Sequence, residues 1–145
     1  MKITKDWLSG FVDGEGCFLV SVIKNSTMTV GYQVQLEFGI AQHKRDVQLL
    51  HAIRKYLDCG LVRPNRGKED NVWVYRVRDL KSIGEKVIPF FEKTGLLTTK
   101  KHNLEKFKDV YLKVKEGKHL TPEGLEEIIN IKAKMNRGFS LNSLD

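Results

Sequence analysis

Cysteine is almost missing from this chain of 145 residues: only Cys17 and Cys59 occur. Two thiols are too few for a disulfide scaffold or a zinc site, so a reducing, intracellular setting is expected. Long apolar runs are missing too. Stretches such as Phe18-Leu19-Val20 are far too short to span a bilayer. The start, Met1-Lys2-Ile3-Thr4-Lys5-Asp6, lacks the apolar stretch of a secretory signal, so no membrane partner is expected. No repeat, low-complexity tract or linker divides the sequence, which predicts one domain over 1–145. Several catalytic signatures are absent as well. Gly14-Glu15-Gly16 does not extend to GxGxxG, and no phosphate-binding GxxxxGK[ST] or nucleophile-bearing GxSxG occurs. His43, His51, His102 and His119 never take the HExxH spacing.

What is present is charge, unevenly placed. Lys and Arg number 25 against 18 Asp and Glu, a net +7. The segment Arg63–Arg78 carries +3, Lys100–His119 carries +4, and the remainder balances. A concentrated positive field on a neutral body suits either a polyanion or an ordinary solvated surface.

Hydrophobic spacing predicts the elements. A helix over residues 4–14 is capped by Thr4, with Ile3 and Leu8 as a staple and Leu8, Phe11 and Val12 on one face. Cys17–Asn25 and Val30–Gln42 read as strands around Ser26-Thr27-Met28-Thr29. Lys44–Asp58 is helical, with Leu49, Leu50, Ile53, Tyr56 and Leu57 on one side and Gly60 just beyond. Leu61–Asn65 and Val72–Arg78 form a second strand pair. A helix capped by Asp79 is expected to break at Pro89, and a further turn to end at Gly95. Leu104, Phe107, Tyr111 and Val114 mark the next helix, and Thr121-Pro122-Glu123 opens a last one, stapled by Leu120 and Leu125. The order is αββαββα with an extra C-terminal helix, an α+β fold.

Strand parity sorts the side chains, because neighbours point to opposite faces. Phe18, Val20, Val22, Tyr32, Val34, Leu36, Phe38, Ile40, Trp73, Tyr75 and Val77 suit the core. That leaves Cys17, Leu19, Ser21, Ile23, Asn25, Gln33, Gln35, Glu37, Arg63, Asn65, Val74, Arg76 and Arg78 on the open face. Arg matches guanine edges and phosphates, and Gln and Asn match adenine. The same set also makes an ordinary solvated sheet face, although exposed Leu19 and Ile23 suggest that something covers it.

The densest signal is Leu8-Ser9-Gly10-Phe11-Val12-Asp13-Gly14-Glu15-Gly16. Gly10 and Gly14 share a helical stripe, where each costs about 1 kcal/mol against Ala and so calls for a packing reason. The stripe would admit another helix backbone to backbone. Glu15 then falls at the helix C-terminus, which disfavours a carboxylate, and a divalent cation would relieve that. A solvated acid in a glycine-rich turn is the plainer reading of the same residues.

This segment resembles the LAGLIDADG signature, with substitutions at Ser9, Phe11, Val12, Gly14 and Glu15. The likeness extends along nearly the whole chain. Leu97-Thr98-Thr99-Lys100-Lys101 resembles the family's basic loop, and Leu120-Thr121-Pro122-Glu123-Gly124-Leu125 through Met135-Asn136-Arg137-Gly138 resembles its C-terminal segment. The resemblance implies an intron- or intein-encoded homing endonuclease with a saddle-shaped antiparallel sheet, from an organelle or a prokaryote. Glu15 would be the catalytic, metal-binding carboxylate and Asp13 structural. Gln42 would organise the metal and water shell. It lies on the apolar parity, so the strand is expected to end or twist there. Lys100, or its neighbour Lys101, would support the catalytic water.

Leu19, Ser21, Ile23, Asn25, Gln33, Gln35, Glu37, Arg63, Asn65, Arg66, Lys68, Arg76 and Arg78 would meet DNA. A single motif implies a homodimer packed through Gly10 and Gly14 and a near-palindromic site. The implied reaction is magnesium-dependent hydrolysis of both strands across the minor groove, leaving short 3′ overhangs. The alternative on the same fold is a group I intron RNA maturase, or a protein that binds DNA or RNA without cutting.

Overall fold

A computed structural model describes residues 1–136; Arg137 and Gly138 of the expected C-terminal segment lie outside the described residues. The elements are α1 (Lys5–Glu15), β1 (Gly16–Lys24), β2 (Tyr32–His43), α2 (Val47–Leu57), β3 (Leu61–Pro64), β4 (Val72–Val77), α3 (Leu80–Ser82), α4 (Ile88–Thr94), α5 (Lys100–Lys115) and α6 (Pro122–Lys132). The four strands are antiparallel in the order β1-β2-β4-β3, so both hairpins sit side by side and β1 and β3 form the edges. The α+β class, the αββαββα order and the extra C-terminal helix are all present.

Alternation places one face of the sheet under the helices. Phe18 and Phe38 point into this layer and meet Phe91 of α4 and Phe107 of α5, with ring centroids 5.1–6.0 Å apart. All four rings are fully buried, so one aromatic cluster welds β1 and β2 to two helices. Val74 is buried at 7% but outside this core, as expected for a side chain on the opposite face. Among the described residues no helix is long and apolar enough to cross a membrane.

Four local expectations need correction. Helix α1 runs through Glu15 rather than ending at residue 14, because Gly16 caps it by donating its N–H to Val12 O. Strand β2 ends one residue past Gln42; Gln42 pairs with Trp73 and His43, its last residue, with Val72. Pro89 does not break its helix. A π-helical turn, Ile83–Val87, precedes it, and the wider turn accommodates the ring and the missing N–H while helical backbone continues to Thr94. Tyr32, assigned to the core by strand parity, stays 37% exposed at the end of the first hairpin, and Tyr56 is 41% exposed, so neither is a core position.

Candidate nucleic-acid interface and acidic centre

The acidic centre forms where α1 hands over to β1. Thr4 caps the helix by accepting from Trp7 N–H, and Leu8 and Val12 are buried beneath it. This fixes the rotation that leaves Gly10, Gly14 and Glu15 exposed. The strand that continues past Ile40 carries Gln42 to the same end of the sheet, where its Nε2 donates to Glu15 Oε2 at 3.3 Å. Two residues 27 positions apart are thereby joined.

Asp13 organises the next loop. Its carboxylate accepts from Leu97 N–H and Thr98 N–H, each at 3.0 Å, and from the Thr98 hydroxyl at 2.8 Å. Desolvation alone would raise its pKa, but these hydrogen bonds outweigh burial and lower it, helped by the charge of Lys100. Thr98 Oγ1 in turn accepts from Lys100 N–H at the start of α5. The Lys100 ammonium acts on Asp13 and on Cys17, beside the acidic centre. Lys101 instead lines a groove between α4 and α5 with Leu97 and Leu104.

On the open face, cross-strand register builds rows. Leu19 lies opposite Glu37, Ser21 opposite Gln35 and Ile23 opposite Gln33. Arg76 lies between Gly39 and Leu61, and Val74 between Ala41 and Arg63. Leu19 and Ile23 are 37% and 46% exposed. Arg66 and Lys68 sit exposed in the β3–β4 loop, which Asp70 closes by accepting from Arg66 N–H and Val72 N–H.

Not every polar group on this face is free to bind a ligand. Asn25 uses its Oδ1 on Thr27 to shape the hairpin turn and donates to Gln33 Oε1. Asn65 Oδ1 accepts from Arg76 Nη2 at 2.9 Å. Glu37 Oε1 accepts from Arg78 Nε at 2.6 Å and lies 3.6 Å from Arg76 Nε. The open face therefore carries its own hydrogen-bond network.

Two features escaped the sequence reading. One is that Glu37 pairs with both arginines. The other is a reciprocal amide pair: buried Asn103 donates to Asn136 Oδ1 and accepts from Asn136 N–H, while Asn136 Nδ2 donates to Phe18 O. It ties the end of the described chain to β1 and α5. An Asn four residues into a lysine-rich helix was the only sequence signal for it.

The family model described as LAGLIDADG endonuclease matches residues 8–111, from the glycine motif to α5. The chain belongs to the LAGLIDADG endonuclease family. Among solved LAGLIDADG structures, the homing endonuclease I-TnaI is 47% identical with a TM-score of 0.88, covering 94% of this chain and 90% of that one. I-LtrWI bound to target DNA is 41% identical at TM-score 0.88, but the match covers 45% of its length. Probable intron-encoded endonuclease 2 of Neurospora crassa is 35% identical over 95% of this chain. The chain spans 30% of the length of that relative and 24% of probable intron-encoded endonuclease 3 from the same organism.

Proposed function

We propose that this chain is one half of a site-specific DNA endonuclease. The observation that carries the reading is the pairing of an exposed Glu15 with Gln42 at one end of a sheet whose open face displays arginines and amides. The duplex lies on that face, where side chains of β1, β2, β3 and β4 reach a major groove and the exposed Leu19 and Ile23 are covered. The structure of I-LtrWI, bound to target DNA, supports this choice of ligand.

The residues present fit a magnesium ion. Glu15 is exposed at the negative end of α1, and Gln42 donates its N–H₂, which leaves its amide oxygen for a hard cation. Among the described residues no three His, Cys, Asp or Glu side chains converge. That suits a metal that keeps several waters and takes phosphate oxygens from its substrate. When bound, magnesium would acidify a water and stabilise the leaving oxygen of the phosphodiester. Gln42 holds the Glu15 carboxylate in place, and Lys100 offsets negative charge developing at the phosphate. Hydrolysis on both strands leaves short 3′ overhangs.

Two cuts need two centres, and a homodimer supplies them. Gly10 and Gly14 are exposed, and a Cβ added at either would meet nothing within 4 Å in this chain. The stripe is flanked by Trp7, 43% exposed and stacked on Phe11, and Leu97, 93% exposed. The match to less than half of the I-LtrWI chain supports two such units per working enzyme. Two-fold symmetry makes the site near-palindromic. An intracellular setting, organellar or prokaryotic, completes the proposal.

The test is cleavage of a randomised duplex pool in magnesium, with the cut ends sequenced, for wild type beside Glu15→Gln. Wild type should cut one near-palindromic sequence, and Glu15→Gln should bind it without cutting. Cutting that survives Glu15→Gln removes Glu15 from the reaction. A folded dimer that cuts nothing and binds structured RNA moves the assignment to the maturase alternative.

A further inference from the structure

We propose that Glu37 sets specificity on the sheet face by sorting two neighbouring arginines: it presents Arg78 as a base-reading fork and ties down Arg76 as a structural post. This rests on the DNA reading above and names the residue that governs its selectivity. One carboxylate oxygen, Oε1, accepts from Arg78 Nε at 2.6 Å and sits 3.6 Å from Arg76 Nε. The Glu37 side chain is only 15% exposed, so the pairing is held in a partly dry setting.

A guanidinium has two usable edges, Nε with one Nη, and the Nη pair. Glu37 engages Arg78 through Nε alone. Among the described residues no acceptor meets either Nη of Arg78, and half of the side chain is exposed. The Nη pair is the edge that matches O6 and N7 of guanine in a major groove. Arg76 is held differently. Its Nη2 is spent on Asn65, its Nε is buried without a hydrogen bond and lies 3.6 Å from Glu37 Oε1 as an ion pair, and its side chain is 29% exposed. Arg76 therefore links β2, β4 and the end of β3 instead of presenting a fork.

Space and charge agree with this division. Gly39, between Cys17 and Arg76 in the register, lies beside the Glu37 carboxylate; a Cβ there would sit in ordinary contact with its Oε2, at 3.6 Å. A concavity of about 300 Å³ between β3 and β4 is bounded by Arg63, Arg76 and Arg78 over apolar Leu61 and Val74. A base-pair edge entering it meets a fork already oriented. Glu37 also cancels one of the two adjacent positive charges, which weakens attraction to any phosphate backbone regardless of sequence. Its removal thus has opposite effects on two readouts: non-target affinity rises while base discrimination falls.

The test uses the full chain with Glu37→Gln, Arg78→Ala, Arg76→Ala and the double variant Glu37→Gln/Arg78→Ala. Base preference is profiled by binding selection from a randomised duplex pool, and affinity for a non-target duplex is measured separately. Arginine Nε–H signals are followed by NMR without DNA. Wild type should show a slowly exchanging Arg78 Nε–H that Glu37→Gln loses. Glu37→Gln should lower preference for guanine at one position by ~10-fold, the order of one bidentate contact, and strengthen non-target binding. Arg78→Ala should erase the same preference, and the double variant should be no worse. Arg76→Ala should lower thermal stability and leave that position selective. Full preference retained in Glu37→Gln, or lost in Arg76→Ala, overturns the proposal. A wild type that selects no sequence overturns the DNA reading and this proposal together, and the NMR signal tells that failure from a missing Arg78–Glu37 bond.

Discussion

Two basic regions of this molecule carry similar local charge and use it in opposite ways. On the sheet, one carboxylate is shared by two guanidinium groups, and Arg63 meets no acid among the described residues. A net positive charge and unspent donors remain. On α5 and the turn after it, acids are matched to lysines: Lys108 pairs with Glu92, Lys113 with Asp109 and Glu127, and Lys118 with Glu116. Lys115 lies over the Tyr111 ring instead. The helix looks as basic in sequence as the strands, yet Lys108, Lys113 and Lys118 have their charge answered by acids within the fold. The residue type adds to the contrast, since Arg offers a fixed fork and Lys a hydrated point charge.

The largest difference should appear in salt titrations of DNA binding. Arg63→Ala with Arg66→Ala should flatten the slope of log affinity against log salt by about 2, close to one unit per lost phosphate contact. The matching pair on the helix, Lys108→Ala with Lys113→Ala, should leave the slope unchanged and cost below about 1 kcal/mol in urea unfolding, as exposed ion pairs do. Equal slopes for the two pairs would erase the distinction.

A smaller effect separates acids that hold cations from acids that hold backbone. Asp13 is spent on the 97–98 loop and its pKa is lowered on folding from the ordinary 3.8. Its contribution is therefore complete above that ordinary value and is lost as pH falls through the lower folded value. Asp13→Asn should melt below wild type at pH 7, with the gap closing under pH 4 in a melting series. A gap that is constant with pH would assign the loss to geometry rather than to charge. The smallest effect is expected at the glycine stripe: Gly10→Leu should leave the isolated fold nearly unchanged, because space there is open, while sedimentation shows dimers giving way to monomers.

Much of this architecture was legible because it depends on short-range pattern. Thr4, Asp79 and Thr121 cap their helices as spacing predicts, accepting from Trp7, Ser82 and Gly124 N–H. Period-two alternation put Phe18, Phe38 and Tyr75 inside and Gln35, Glu37 and Arg76 outside. The misses have a common cause, which is that they depend on which distant elements become neighbours. Glu37 and Arg78 lie 41 residues apart and meet only because β2 pairs with β4. Gln42 looked like a strand end because its polarity broke the alternation, and the reason it sits there is Glu15, across the sheet end. At Pro89 the local rule predicts a break, but burial of Ile83, Val87, Ile88 and Phe91 keeps the backbone helical through a π turn.

The central claim is that the sheet's open face, and not the lysine-rich helix, receives DNA. A photocrosslinking residue placed at Gln35, mid-sheet, or at Leu112, on the exposed side of α5, tests this directly with a labelled duplex. Crosslinks from position 35 alone are expected. Crosslinks from position 112 in their place would put the nucleic acid on the other side of the molecule and contradict the account.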